Sequence, residues 1–96
     1  MFGWKKESVP QQVTNGRFEI EREDHVAYLA YTIAGDILEL SHTEVPVELR
    51  GTGVAAELAH GALEYAREHH MKVDVVCDVV AAYIKKHPEY SDLVLR

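Results

Sequence analysis

A chain of 96 residues, 47% hydrophobic and 27% charged, has the length and composition of one small globular domain. No apolar run approaches the roughly 20 residues of a membrane span, and the opening Met1-Phe2-Gly3-Trp4-Lys5-Lys6 is too short and too polar after Trp4 for a signal peptide. The net charge of −6 speaks against a broad nucleic-acid surface, which needs clustered Lys and Arg, and the single cysteine, Cys77, excludes an internal disulfide and fits a reducing, cytoplasmic setting. The acidity is read either as ordinary solubility or as mild steering of a cationic substrate such as an amine.

Residues 1–14 are polar and irregular, with Pro10 and a Gln pair, and are expected to form an N-terminal arm ahead of a single domain over 15–96. Asn15-Gly16 reads as a turn. Arg17 to Arg22 alternates apolar and charged residues, the period of a half-buried strand. Glu23-Asp24 turns the chain, and His25 to Ile33, rich in β-branched and aromatic residues, reads as a central strand. After the Ala34-Gly35-Asp36 turn, Ile37 to Val45 is a third strand. Such short connections predict an antiparallel meander.

Gly53 to His70 carries the clearest helical pattern. Val54, Leu58 and Ala62 fall on one line and Ala55, Ala59, Leu63 and Ala66 on the next. Val73 to Cys77 then reads as a short buried strand, parallel to its neighbour because a helix precedes it. Val79 to Lys86 is a second, short helix that Pro88 ends, and Leu93-Val94-Leu95 is expected to pack as a last short strand. The pattern as a whole is an α+β fold with one long and one short helix on a mostly antiparallel sheet.

The most informative stretch is Val45 to Ala55, where a strand passes through Arg50-Gly51-Thr52-Gly53 into the long helix. Glycines let a backbone turn tightly and approach a ligand. A helix start offers unpaired N–H groups and the positive end of its dipole. With the Arg50 charge beside them, these features predict a pocket for a phosphate or pyrophosphate.

Arg50-x-x-Gly53-x-Ala55 resembles the acetyl-CoA signature of GNAT-type N-acetyltransferases. The wider block resembles the small single-domain GNAT-like proteins of the YjdJ type. It comprises His42-Thr43-Glu44-Val45-Pro46, Leu49 to Gly53, Val76-Cys77, and Ala81 to Tyr90, and the likeness spans roughly residues 15–94. The resemblance implies a reduced GNAT fold in which a parallel strand splays from its neighbour and acetyl-CoA lies in the cleft. It implies that the pyrophosphate sits on the backbone of Arg50, Gly51, Thr52, Gly53, Val54 and Ala55. The pantetheine arm would pair with the strand around Thr43, Val45 and Val47. The acetyl group would then point to Cys77 and the start of the second helix. Where these small proteins commonly carry a Pro-Phe pair after that cysteine, this chain has Asp78-Val79, which alters the shape and charge of that end of the cleft.

Acetyl transfer to an amine needs a deprotonated nucleophile, a polarised carbonyl and a proton for the leaving thiolate. Glu44 and His42 are two apart on one strand and share a face. They read either as a general base, direct or through water, or as ordinary polar groups at a strand end. Cys77 reads as a small core hydrophobe, as a wall of the acetyl pocket or as a weak acyl acceptor. A reactive role requires a thiolate, and the neighbouring Asp78 carries the wrong charge to support one. Tyr83 in the second helix reads as a thiolate-protonating tyrosine by the resemblance, with Ile84 as the alternative at that place, or as an aromatic anchor for the helix. His60, His69 and His70 do not have the spacing of a metal site, and a solvated surface is their default reading.

The function so implied is acetyl-CoA-dependent N-acetyl transfer to a primary amine, on a small molecule or a protein. The alternative is an acyl-CoA-binding or sensing module with little turnover, favoured by the absence of the extra N-terminal helices that shape acceptor pockets in larger GNAT enzymes. The expected partners are acetyl-CoA and an amine acceptor, with no nucleic acid, no membrane and no metal, the chain being a monomer or weak homodimer.

Overall fold

The computed structural model describes residues 13–95. Strands β1 (Val13–Arg22), β2 (His25–Ala34), β3 (Ile37–Glu44) and β4 (Lys72–Val75) form a four-stranded sheet in the order β1-β2-β3-β4. The first three run antiparallel and β4 is parallel to β3. Two helices, α1 (Val54–Glu68) and α2 (Asp78–Lys86), complete an α+β fold that agrees with a reduced GNAT architecture. Most of the expected N-terminal arm lies outside the described residues, but Val13 and Thr14 already belong to β1.

Asn15-Gly16 is not a turn. Both residues are inside β1, opposite Thr32 and Tyr31. The Thr32 hydroxyl donates to Asn15 Oδ1 at 2.9 Å. The Tyr31 ring lies across Gly16, where a Cβ would collide with its hydroxyl and Cζ. The glycine therefore marks a close cross-strand approach rather than a change of direction. The reversal comes at Glu23-Asp24, whose φ values of 53° and 66° are those of a two-residue hairpin matched to the twist of its strands.

One irregularity in the sheet decides the geometry of the site. His42 pairs with Ala30 but Leu40 pairs with Tyr31, so Ser41 is an extra residue, a β-bulge. Before the bulge, Leu38 and Leu40 point into the core and are fully buried. After it, the inward direction passes to Thr43, and the half-exposed His42 and Glu44 face the other way.

The buried face of the sheet, with Ala27, Leu29, Leu38 and Leu40, packs against Leu58, Ala62, Leu63 and Ala66 of α1 and Val80 of α2. Helix α1 ends in a Schellman arrangement. His70 takes φ 56°, Met71 N–H donates to Ala66 O at 2.8 Å, and His70 N–H donates to Arg67 O at 3.3 Å. Arg22 grips Glu57 with two hydrogen bonds of 2.8 and 3.1 Å and ties the end of β1 to α1.

Several expected boundaries move: β1 starts at Val13, β3 ends at Glu44 and α1 ends at Glu68, and two further shifts lie at the C-terminal side of the sheet. Strand β4 ends at Val75, not Cys77, because the N–H groups of Val76 and Cys77 both turn to Leu40 O at 3.0 Å. The expected last strand is reduced to one parallel bridge between Val94 and Val73, preceded by a 3₁₀ helix over Pro88–Leu93. None of the described helices is long and apolar enough to cross a membrane.

Candidate functional site

Strands β3 and β4 pair from Ile37↔Lys72 to Leu40↔Val75 and then part. Beyond Leu40, β3 continues through Ser41–Glu44 with β2 on one side, while the other chain turns away into α2. The result is a notch whose β3 wall has no strand partner on that side among the described residues. Across its closed end the Thr43 hydroxyl lies 3.1 Å from Cys77 Sγ. Cys77 is 7% exposed and is the residue from which α2 starts, so its thiol lines the notch at the head of a helix.

Directly after Glu44, at the same end of β3, the chain forms a single 3₁₀ turn over Val47–Leu49 and enters the glycine loop. Gly51 and Gly53 take φ of 80° and 86°, which disfavours any residue with a Cβ. Gly53 is the N-cap of α1 and supplies no side-chain hydrogen bond to it. The N–H groups of Gly51, Gly53, Val54, Ala55 and Ala56 accordingly have no hydrogen-bond partner among the described residues. The Thr52 hydroxyl turns back to Leu49 O and braces the loop. Arg50 Nε donates to Val45 O at 3.2 Å, leaving both terminal guanidinium nitrogens without a partner among the described residues. A recess of about 150 Å³ sits here, with Arg50, Gly51, Gly53 and Ala55 around it and Val45 and Leu49 beneath. Unpaired N–H groups, a helix dipole and one cation are the donor set a pyrophosphate requires. Val54, whose side chain is 1% exposed, can contribute only its backbone, and Val47 is 67% exposed at the rim.

His42 and Glu44 form a pair, Nε2 to Oε1 3.0 Å, and both are more than half exposed. The Tyr28 ring meets His42 edge-on. Both residues stand on the sheet face opposite to Thr43 and Cys77, so the notch is bordered by a thiol and a hydroxyl on one face and a carboxylate–imidazole pair on the other.

Tyr83 on α2 faces α1. Its hydroxyl is 3.2 Å from His60 Nδ1 on α1, and its ring stacks on His87 at 4.2 Å. His60 also meets the Tyr90 hydroxyl at 3.2 Å, and that hydroxyl donates to Glu64. Loss of water contact and the neighbouring carboxylates raise the Tyr83 pKa, and the Glu64 hydrogen bond pushes Tyr90 up to about 12. His60 is thus a member of an interhelical cluster, and His69 stacks on Tyr65 at 4.0 Å. Ile84 packs against the core.

Reading the sequence by motif missed one group. Past Ala55 the surface continues into a recess of about 380 Å³ lined by Ala56 of α1 and by Val79, Ala82, Tyr83 and Lys86 of α2, with His87 at its end. The α2 residues follow i, i+3, i+4, i+7 spacing, an apolar stripe ending in a cation. That spacing was visible in the sequence. Its nearness to the glycine loop was not.

The profile of the GCN5-related N-acetyl-transferase family matches residues 17–93. Among curated proteins, those named Protein NATD1 from Gallus gallus and Mus musculus are each 40% identical over 63 residues, covering 65% of this chain and 57% of theirs. Protein NATD1 from Homo sapiens is 40% identical over the same length, with 56% of its chain covered. The aligned part thus spans somewhat over half the length of these relatives. The family profile takes in the whole of the notch, the glycine loop and both helices, and on that ground the chain belongs to the GCN5-related N-acetyl-transferase (GNAT) family.

Proposed function

We propose that this protein transfers an acetyl group from acetyl-CoA to a primary amine. The observation that carries the reading is the start of α1. Its first N–H groups are uncapped and converge with Arg50 on one recess. The pyrophosphate of acetyl-CoA would sit on Gly51, Gly53, Val54 and Ala55, with Thr52 holding the loop. The pantetheine arm would run along the unpaired edge of β3 at Thr43 and Val45, past the exposed Val47. The nucleotide end would lie in the recess of Val79, Ala82 and Lys86. Bound acetyl-CoA supplies an activated thioester at the notch.

The chain's own residues then have separable tasks. An amine reaching the notch from the His42 side would meet the imidazole, which accepts its proton as the N–C bond forms and the thioester C–S bond breaks, and returns that proton to the departing thiolate, while Glu44 orients the ring and offsets the charge it gains. Cys77 and Thr43 form the opposite wall and keep water from the reacting end. Tyr83, with its hydroxyl engaged by His60, supports the α1–α2 contact rather than proton transfer in this proposal.

Thioester consumption against a panel of amines and basic peptides, beside a direct acetyl-CoA titration, tests the reading. Turnover should appear for at least one amine and rise with pH as the amine or its base loses a proton. Replacing both His42 and Glu44 by Gln should lower the rate constant and flatten that rise. An unchanged pH profile in the double variant would remove both from the mechanism. The exposure of His42 and Glu44 supports a second reading, a CoA-binding module without turnover, which saturable binding with no consumption across the panel would favour.

A further inference from the structure

A groove of about 430 Å³ runs between β1 and the middle of α1, lined by none of the residues of the notch or the glycine loop. Its floor is apolar: the half-buried Phe18 and Ile20 from β1 and Tyr65 from α1, over the buried Leu58. Phe18 and Tyr65 meet at 5.6 Å in an edge arrangement, so the floor presents aromatic surface. Glu57, Gly61, Glu64 and Glu68 line it at i, i+4, i+7, i+11 spacing, one continuous stripe of α1. Arg22 occupies Glu57 and Arg17 pairs with Glu19, which also lines the groove; Glu64 accepts the Tyr90 hydroxyl and feels the Arg67 charge, and Glu68 has no partner among the described residues.

Gly61 leaves the helix bare at the centre of this groove. It is exposed in the middle of a 15-residue helix, where Gly is less favourable than Ala. A Cβ placed there would meet nothing within 4 Å, so no packing among the described residues demands the missing side chain. A bare patch of helix backbone is what a second chain needs to approach closely.

We infer that this groove docks a basic polypeptide segment, an apolar or aromatic side chain seated on Phe18, Ile20 and Tyr65 over Gly61, and Lys or Arg flanking it beside Glu64 and Glu68. Charge complementarity selects the partner. Glu68 at the rim has no cation partner and Glu64 no direct ion pair among the described residues, the chain carries a net charge of −6, and aromatic faces attract cations. The inference stands whether or not the notch turns over an amine, because the groove shares no residue with it.

The test is a titration of the full-length, isotope-labelled protein, without acetyl-CoA, with a short capped peptide of Lys-Lys-Leu-Trp-Lys-Lys. Binding should be saturable and should shift the amide resonances of Phe18, Ile20, Gly61, Glu64 and Tyr65 ahead of those of His42, Glu44 and Gly53. A peptide with Ser for Leu and Trp, and one with Glu for Lys, should each bind at least about tenfold more weakly, a difference of about 1.4 kcal/mol. Gly61→Leu, which fills the groove, should abolish the shifts, and Glu68→Lys should weaken binding by about threefold to tenfold in a salt-dependent way. Absence of saturable binding would overturn the proposal. So would equal binding of the Ser control, shifts centred on the notch, or contacts from Trp4 to Tyr65 in the free protein, which would assign the groove to residues 1–12. Dilution-dependent groove resonances without peptide would assign it to a second copy of the chain and overturn it equally.

Discussion

Gly53 and Gly16 are both short of a side chain, for different physical reasons. At Gly53 there is room for a Cβ, so crowding inside the chain is not the constraint; the constraint is φ of 86°. Gly53→Val should therefore cost about 1–2 kcal/mol of stability by denaturant unfolding and weaken CoA binding, since relief of the strain moves the first N–H groups of α1. A folded Gly53→Val protein with unchanged CoA affinity would remove this loop from the binding site. At Gly16 the φ is ordinary and the constraint is the Tyr31 ring. Gly16→Ala should destabilise by about 1–3 kcal/mol, the usual cost of forcing an extra carbon into a packed place, and Tyr31→Ala in the same chain should make the second change much cheaper. Cys77 is the third residue of interest. Seated 3.1 Å from the Thr43 hydroxyl at 7% exposure, it is shaped as a wall. Cys77→Ala should lower turnover partially. Complete loss in a folded variant, with an acetyl group found on the wild-type thiol by mass spectrometry, would require a covalent step instead.

Among the elements, the C-terminal 3₁₀ segment is held by polar contacts as well as by Tyr90 and Leu93. Arg67 donates to Glu89 O and to Asp92, which holds the Asp92 carboxyl below its ordinary range, and Lys72 Nζ donates to Asp92 O. The Tyr90 hydroxyl reaches Glu64 on α1. Because that bond favours the neutral phenol, Tyr90 ionises near 12 when folded against an ordinary value of 10.0. The stabilisation it brings is fully present below the unfolded value and is lost as the pH rises from about 10 to about 12. An ultraviolet titration should show Tyr90 as the last tyrosine to ionise, after the also raised Tyr83, together with release of the C-terminal segment. Tyr90→Phe should remove that late step and cost about 1 kcal/mol at neutral pH, the usual worth of one hydrogen bond. A late step that survives in Tyr90→Phe would mean that another tyrosine carries it.

At the scale of the whole molecule, the sheet has helices on one face, and the face carrying His42, Glu44 and Tyr28 has no helix over it among the described residues. An acceptor would come to this open side under the field of an acidic protein. The second-order rate of acetyl transfer to a cationic amine should therefore fall when ionic strength is raised from about 0.01 to 0.3 M, where the screening length shortens from about 30 Å to well under 10 Å. Transfer to a neutral amine of similar size should be nearly indifferent to salt. Equal salt dependence for both would show that net charge plays no part in acceptor capture.

What the chain determined locally was already legible along it. Period-2 alternation marked β1, a β-branched and aromatic run marked β2, and the stripe of Val54, Leu58 and Ala62 marked α1, because each pattern is a property of neighbours a few residues apart. The glycine loop was legible for the same reason, since strand, turn and helix start are contiguous. Tertiary structure alone decided the rest. Asn15-Gly16 was drawn into a strand by a ring on the adjacent one. The bulge at Ser41, which turns His42 and Glu44 to the open face and Thr43 towards Cys77, is a matter of register against β2. Strand β4 stopped at Val75 because one carbonyl, Leu40 O, takes two N–H groups in succession, and Tyr83 was taken by His60 from another helix. In each case the deciding partner lies far away in sequence, where local periodicity carries no information about it.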